Sequence, residues 1–177
     1  IDGEVVIGAD SSGTALYDGA LVGIKTGKAV DLAVKPLDGK MTCARGGHNA
    51  VSVAAVGSKG SFMRTPSYYM DKIAVGKDAK NLVDINQSPA INIKRVARAK
   101  GKYIEDITVC VLDRKRNEQL VREIRETGAK IKLIRAGDIS LAISAAFPES
   151  SIDILMGIGG AKEAILAAAA LKCMDGD

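Results

Sequence analysis

Tryptophan is absent from this 177-residue chain, and aromatic residues make up only 3% of it. Surfaces that bind single-stranded nucleic acid stack the bases on aromatic rings, so this composition argues against such a function. The net charge of +4 is small, and lysines and arginines are interspersed with aspartates and glutamates. The chain therefore has no basic stripe, and nucleic acid is not an expected partner.

Histidine and cysteine are also scarce. There is one histidine, His48, and the three cysteines, Cys43, Cys110 and Cys173, lie far apart in sequence. This spacing does not fit a zinc site, and a single histidine makes a catalytic cysteine a poor hypothesis. An odd number of cysteines predicts buried, free thiols and a reducing compartment, such as the cytoplasm or a plastid stroma.

Long hydrophobic runs are missing as well. The longest, Ala164–Leu171, is too short to cross a bilayer, so no membrane partner is expected. Apolar residues make up 47% and charged residues 26%, which is typical of a globular protein. The chain does not begin with methionine and opens in a strand-like run, which indicates a piece of a longer protein.

The second half of the chain, residues 105–177, alternates strand and helix patterns. Its predicted elements are a strand at 107–112, a helix at 117–127, a strand at 130–134, a helix at 139–147, a strand at 152–156 and a helix ending near 174. Asp138 is expected to cap the second of these helices, and Pro148 to end it. This alternation predicts a parallel βαβαβα sheet with helices on its faces.

The first half, residues 1–104, has short runs separated by glycine-rich turns. Its predicted strands are 4–7, 16–22, 30–34, 50–56, 60–64 and 72–75. Strands that follow strands predict a mixed or antiparallel sheet, so the class is α/β with an α+β first half. A helix capped by Ser88, with Pro89 in its first turn and Gly101 after it, joins the two halves.

Two motifs have both a functional and a structural interpretation. Gly157-Ile158-Gly159-Gly160-Ala161-Lys162-Glu163 joins a strand to a helix and is equally consistent with a phosphate site or a tight turn. Arg114-Lys115-Arg116 follows a strand at the end where open α/β sheets bind ligands. Three basic residues before a helix are also typical of a solvated surface.

The order of several motifs resembles the class II fructose-1,6-bisphosphatases. The segments that carry the resemblance are 30–39, 49–53, 69–76, 112–116, 137–138, 157–161 and 168–177. The family implies the layered α-β-α-β-α fold of the lithium-sensitive sugar phosphatases. Against that family, the chain lacks an N-terminal helical portion and a sizeable C-terminal portion.

The resemblance also implies a chemistry. Such enzymes use Mg²⁺ or Mn²⁺, held by clustered carboxylates, to hydrolyse the 1-phosphate of fructose 1,6-bisphosphate, and some accept sedoheptulose bisphosphate. Asp38 and Glu163 stand at metal-binding and catalytic positions. The implied substrate contacts are Asp38, Gly39, Lys40, Tyr69, Arg114, Lys115, Arg116, Ala136, Gly137, Asp138 and Gly160.

The departures from the family lie at the metal positions. Ala9 and Lys35 stand where the resemblance implies acidic ligands, although Asp10 is a partial substitute for the first. Lys40 replaces a hydroxyl residue. An ammonium in place of a carboxylate removes attraction for a divalent ion and adds repulsion. Lys35 and Lys40, with Arg114–Arg116 and Lys162, form either a cationic pocket for phosphate or charges left by drift.

Three hypotheses follow. The first is a catalytically impaired relative that acts as a binding or structural subunit and needs no cofactor. The second is an active phosphatase with a rearranged Mg²⁺ or Mn²⁺ site built from Asp10, Asp38 and Glu163. The third is a metal-independent sensor of sugar bisphosphate or inorganic phosphate. The resemblance also implies a homo-oligomer or a subunit of a larger assembly.

Overall fold

The computed structural model describes residues 2–9 and 15–177, which form two four-stranded sheets and five α-helices. The strands are β1 (Asp2–Ile7), β2 (Leu21–Gly23), β3 (Ala29–Asp38), β4 (Val51–Ser58), β5 (Tyr69–Val75), β6 (Thr108–Leu112), β7 (Lys130–Ile134) and β8 (Ile154–Gly160). The helices are α1 (Lys40–Ala44), α2 (Pro89–Lys100), α3 (Glu118–Glu126), α4 (Asp138–Ser144) and α5 (Ala161–Cys173).

The first sheet has the order β2-β1-β3-β4 and is mixed, as predicted. β1 pairs with β3 in parallel, and the other two pairs are antiparallel. The register between β3 and β4 shifts between Lys35 and Asp38, so the end of β3 is irregular there. The predicted strand at 60–64 is wrong, because the chain turns after β4 with Gly60 at a φ of 81° in the left-handed region.

The second sheet has the order β5-β8-β6-β7. β6 is parallel to both β7 and β8, which confirms the parallel strands predicted for the second half. β5 pairs antiparallel with β8, so this sheet is mixed rather than wholly parallel. Because β5 precedes residue 105, the second sheet draws one strand from the first half, and the division into 1–104 and 105–177 stays a prediction.

The helices form two layers. α4 and α5 lie between the sheets, since Ile139 and Leu166 pack with Val6 and Ile7 of the first sheet. Other residues of the same two helices pack on the second sheet. α2 and α3 cover its opposite face with a second apolar cluster. The described layers therefore run sheet, helices, sheet, helices, which confirms a layered α/β phosphatase-type fold.

The predicted helix caps and ends were only partly correct. Ser88 caps α2 and accepts a hydrogen bond from the Ile91 N–H, as predicted. The prediction that Asp138 caps α4 is wrong, because the N-cap residue is Gly137 and no side chain caps this helix. That helix ends at Ser144, before the predicted 147.

The prediction that all three cysteine thiols are buried is also wrong. Cys110 is buried, whereas Cys43 and Cys173 are exposed. Across residues 2–9 and 15–177, no helix has the length and apolar character needed to span a membrane.

Candidate functional site

A cavity of about 310 Å³ lies where the ends of β3, β6 and β8 meet the start of α4 and α5. We call it the first cavity. It is lined by Asp38, Ser67, Tyr68, Tyr69, Leu112, Arg114, Arg116, Ala136, Gly137, Asp138, Gly160, Ala161, Lys162 and Glu163. The structure thus brings together most of the predicted site residues, which come from distant parts of the sequence. Carboxyl ends of parallel strands meet at one sheet edge, which is where open α/β sheets bind ligands.

Asp38 is a buried carboxylate at the end of β3. The residue is only 7% exposed, and its Oδ2 atom has no hydrogen-bond partner among the described residues. Burial, together with the negative charges of Asp138 and Glu163, raises the pKa of Asp38 to about 6, although Lys35 opposes the shift. This carboxylate is therefore close to its titration range at neutral pH.

Glu163 stands in the first turn of α5 and forms an ion pair with Lys35 of β3. Both side chains are 18% exposed. Burial raises the pKa of Glu163, but the hydrogen bond and charge of Lys35 outweigh burial and hold the pKa below its usual value. The carboxylate faces the cavity, whereas Lys35 is not part of the cavity lining.

In a second ion pair, a lysine of a strand again pairs with a carboxylate in the first turn of a helix. Lys72 Nζ of β5 donates to Asp138 Oδ2 of α4 at 2.7 Å, and both side chains are 9% exposed. Gly159 makes room for this pair, because a Cβ there would lie 2.8 Å from both Asp138 Oδ2 and Lys72 Nζ. The glycine-rich motif therefore accommodates an internal ion pair at this point.

Two arginine side chains supply part of the positive charge on the cavity wall, which Lys162 also lines. The Arg116 guanidinium lies 4.2 Å from the centre of the Tyr69 ring and donates through Nε to the Ile158 carbonyl at 3.0 Å. Arg114 donates to the carbonyls of Asp113 and Arg135. Since none of these contacts is to a carboxylate, both guanidinium charges remain available to an anion.

Several predicted residues lie elsewhere. Gly39 and Lys40 line a neighbouring cavity, and Lys115 is exposed and lines neither. Ala9 is half-buried outside the first cavity, with its N–H bonded to the Leu16 carbonyl at 2.8 Å. Asp10 lies outside the described residues.

Lys72 and Asn117 support the site through contacts with its lining residues Asp138 and Leu112, and the sequence analysis missed both. Lys72 lies within a predicted strand, and its half-buried position is evident only from the structure. The buried Asn117 side chain accepts from the Ile158 N–H at 2.8 Å and donates to the Leu112 carbonyl at 2.9 Å. It thereby fixes the loop after β6 against β8.

The described residues, 2–9 and 15–177, do not fit the divalent metals that the resemblance implies. Among the parts of the chain that the structure describes, no group of three or more histidine, cysteine, aspartate or glutamate side chains can hold a metal ion. Glu163 and Asp138 already pair with lysines. Mg²⁺ and similar cations need several oxygen ligands. Among the described residues that line the first cavity, Asp38 Oδ2 is the one buried carboxylate oxygen without a hydrogen-bond partner.

Comparison with known proteins gives one consistent result. The profile of a family described as bacterial fructose-1,6-bisphosphatase, glpX-encoded, matches residues 1–177. Fructose-1,6-bisphosphatase 1 class 2 of Escherichia coli (strain K12) is 41% identical over 179 aligned positions, which cover 100% of this chain and 53% of that protein. The same values hold for class 2 enzymes of Escherichia coli O6:H1 (strain CFT073) and Shigella flexneri.

The chain therefore spans about half the length of the curated relatives it matches. The family profile nevertheless covers the chain throughout, as the motif order predicted. With its strand ends, arginines and Asp38 gathered at one cavity, this chain belongs to the glpX-type bacterial fructose-1,6-bisphosphatase family.

Proposed function

We propose that this chain binds a phosphorylated sugar in the first cavity without hydrolysing it, as a binding or structural subunit. The observation that carries the proposal is the ion pair between Lys35 and Glu163. It places a fixed ammonium beside a carboxylate that, by family resemblance, would hold a metal ion.

Electrostatics supports the loss of metal-based hydrolysis. Two unit charges about 4 Å apart interact by roughly 4 kcal/mol at an effective dielectric constant near 20, and a divalent ion doubles the repulsion. A metal at Glu163 would have to displace Lys35 from a partly buried pair. The pair between Lys72 and Asp138 adds a second ammonium close by.

The cavity wall supports phosphate binding. Arg114 and Arg116 present guanidinium groups, which recognise phosphate oxygens through paired hydrogen bonds. The Tyr69 ring and the Ile158 carbonyl fix the direction of Arg116 before a ligand arrives. Preorganisation of this kind lowers the entropy cost of binding.

Calorimetry in the presence of a chelator tests the binding half of the proposal. Fructose 1,6-bisphosphate should bind the wild-type chain, and Arg116→Gln should weaken binding about tenfold. Arg122→Gln is the matched control, since Arg122 is exposed on α3 and lines neither cavity. The absence of binding heat at millimolar ligand would end this half.

An assay of phosphate release with Mn²⁺ tests the other half. No turnover is expected. Robust turnover that Glu163→Ala abolishes would instead establish an active phosphatase with a rearranged metal site. The partnerless Oδ2 of buried Asp38 favours that alternative, because such an atom calls for a proton or a cation. In that case Asp10, Asp38 and Glu163 would be the ligands of Mg²⁺ or Mn²⁺.

A further inference from the structure

A larger cavity adjoins the first. Its volume is about 620 Å³, and we call it the second cavity. It is lined by Gly39, Lys40, Met41, Thr42, Arg45, Gly47, Asp113, Arg114, Arg135 and Ala136. Arg114 and Ala136 line both cavities, so the two share a wall.

Positive charge dominates this second lining. Lys40, Arg45, Arg114 and Arg135 supply it, against the single carboxylate of Asp113. Within residues 2–9 and 15–177, no ion pair within 4.0 Å neutralises Lys40, Arg45 or Arg135. Like charges gathered around one concave space repel each other and raise the local concentration of anions.

Arg114 links this charge to the first cavity. Its Nη1 donates to its neighbour's carbonyl, that of Asp113, at 2.8 Å, and its Nη2 donates to the Arg135 carbonyl. These bonds hold the guanidinium at the shared wall without neutralising it. A fixed arginine between two cavities suits two phosphate groups, one on each side.

We propose that the second cavity is a phosphate subsite, in which Lys40, Arg45 and Arg135 bind a phosphate monoester. This rests on the proposed function in one respect, that the first cavity takes a phosphorylated sugar. The group in the second cavity is either the other phosphate of the same sugar bisphosphate or the phosphate of a separate small molecule.

Calorimetry with three probes, fructose 1,6-bisphosphate, fructose 6-phosphate and inorganic phosphate, tests the subsite. The test variant is Arg45→Gln/Arg135→Gln, which removes two charges and leaves Arg114 intact. The matched control is Arg98→Gln/Arg125→Gln, on α2 and α3, because neither residue lines either cavity. Thermal melts first establish that both variants are folded.

The expected result is a loss confined to the test variant. If one bisphosphate bridges both cavities, its affinity falls at least tenfold, while that of fructose 6-phosphate is retained. If a separate molecule binds, the wild-type chain takes two equivalents of fructose 6-phosphate or phosphate, and the test variant takes one. Unchanged affinity and stoichiometry for all three probes, relative to the control, would overturn the proposal.

The two proposals fail in different ways. Loss of binding in Arg116→Gln but not in the test variant would leave the first cavity as the phosphate site and remove the subsite. Loss in the test variant but not in Arg116→Gln would retain the subsite and remove the proposed function. Absence of heat from every probe with the wild-type chain would remove both.

Discussion

Lys35 shows how one side chain can change the chemistry of a carboxylate site. Its ammonium pairs with Glu163 and lowers the pKa of that carboxylate against the effect of burial. A paired carboxylate keeps its charge but loses most of its capacity to attract a second cation. At the scale of residues, lysines therefore pair with two of the three acidic side chains at the cavity, Glu163 and Asp138, and leave Asp38 Oδ2 without a partner among the described residues.

Replacing Lys35 with aspartate should restore affinity for a divalent metal. Lys35→Asp removes the ammonium and places three carboxylates, with Asp38 and Glu163, around one point. Titration with Mn²⁺ should give an affinity at least about tenfold above wild type, since about 1.4 kcal/mol suffices for that change. Lys115→Asp makes the same charge change outside both cavities. Equal Mn²⁺ affinity in the two variants would mean that residue 35 does not face the metal position.

Asp38 should make stability fall as pH rises through its titration range. Its folded-state pKa of about 6 lies above the ordinary 3.8, so the folded state holds the proton more tightly than the unfolded state. The contribution of Asp38 to the free energy of unfolding is thus fully present below about pH 4 and is lost between about pH 4 and 6. Asp38→Asn should match wild type near pH 4 and exceed it by roughly 2–3 kcal/mol at pH 7.

Urea unfolding of both proteins from pH 4 to pH 8 measures that difference. Asp113→Asn, at an exposed carboxylate, is the control and should stay within about 0.5 kcal/mol of wild type throughout. A wild-type advantage over Asp38→Asn at pH 7 would contradict the burial argument.

At the scale of elements, Asn117 joins the loop after β6 to the end of β8. Asn117→Ala leaves the Ile158 N–H and the Leu112 carbonyl without their partner, which should cost about 2–3 kcal/mol of unfolding free energy. Because Arg116 also bonds to Ile158, affinity for fructose 6-phosphate should fall several-fold.

Asn92→Ala provides the comparison for this prediction. Asn92 is equally buried and bonds to the backbone of Asp84, but its hydrogen bonds do not reach Ile158 or the loop after β6. It should lose similar stability and keep its ligand affinity. Parallel loss of affinity in both variants would show that Asn117 acts only through global stability.

Regular elements with strong local signals were predictable. The cap, proline and terminal glycine of α2 specify its bounds, and β7 occupies its predicted residues. The failures have a different cause. β5 was found as a strand, but its pairing with β8 depends on contacts remote in sequence. α1 is only five residues long and has no buried residue, so it leaves no apolar period to detect.

Most residues that line the first cavity were predicted to lie together, but the ion pairs among them were not predicted. Resemblance located Asp38, Asp138 and Glu163, and the structure gathers them at the first cavity. The resemblance gave no information on the ion pair of Lys72, because its partner Asp138 is 66 positions away in sequence. Ion pairs between distant elements depend on the tertiary fold, which a local pattern does not encode.

At the scale of the whole molecule, α4 and α5 form a shared layer that packs on both sheets. Leu166 belongs to the cluster on the first sheet, and Leu171 of the same helix belongs to the cluster on the second. A helix pair that supplies part of both cores should couple them, so the two sheets are expected to unfold together.

Leu166→Ala tests this coupling. Leu166 is fully buried, so truncation should cost about 2–5 kcal/mol. Although its contacts are with the first sheet, hydrogen exchange measured by mass spectrometry should speed up equally in peptides from β3 and β6. Leu82→Ala, at a residue 44% exposed, should leave both protected. Faster exchange in β3 alone would mean that the sheets unfold independently, and that a ligand held between β3 and β6 must bring together two units that move separately.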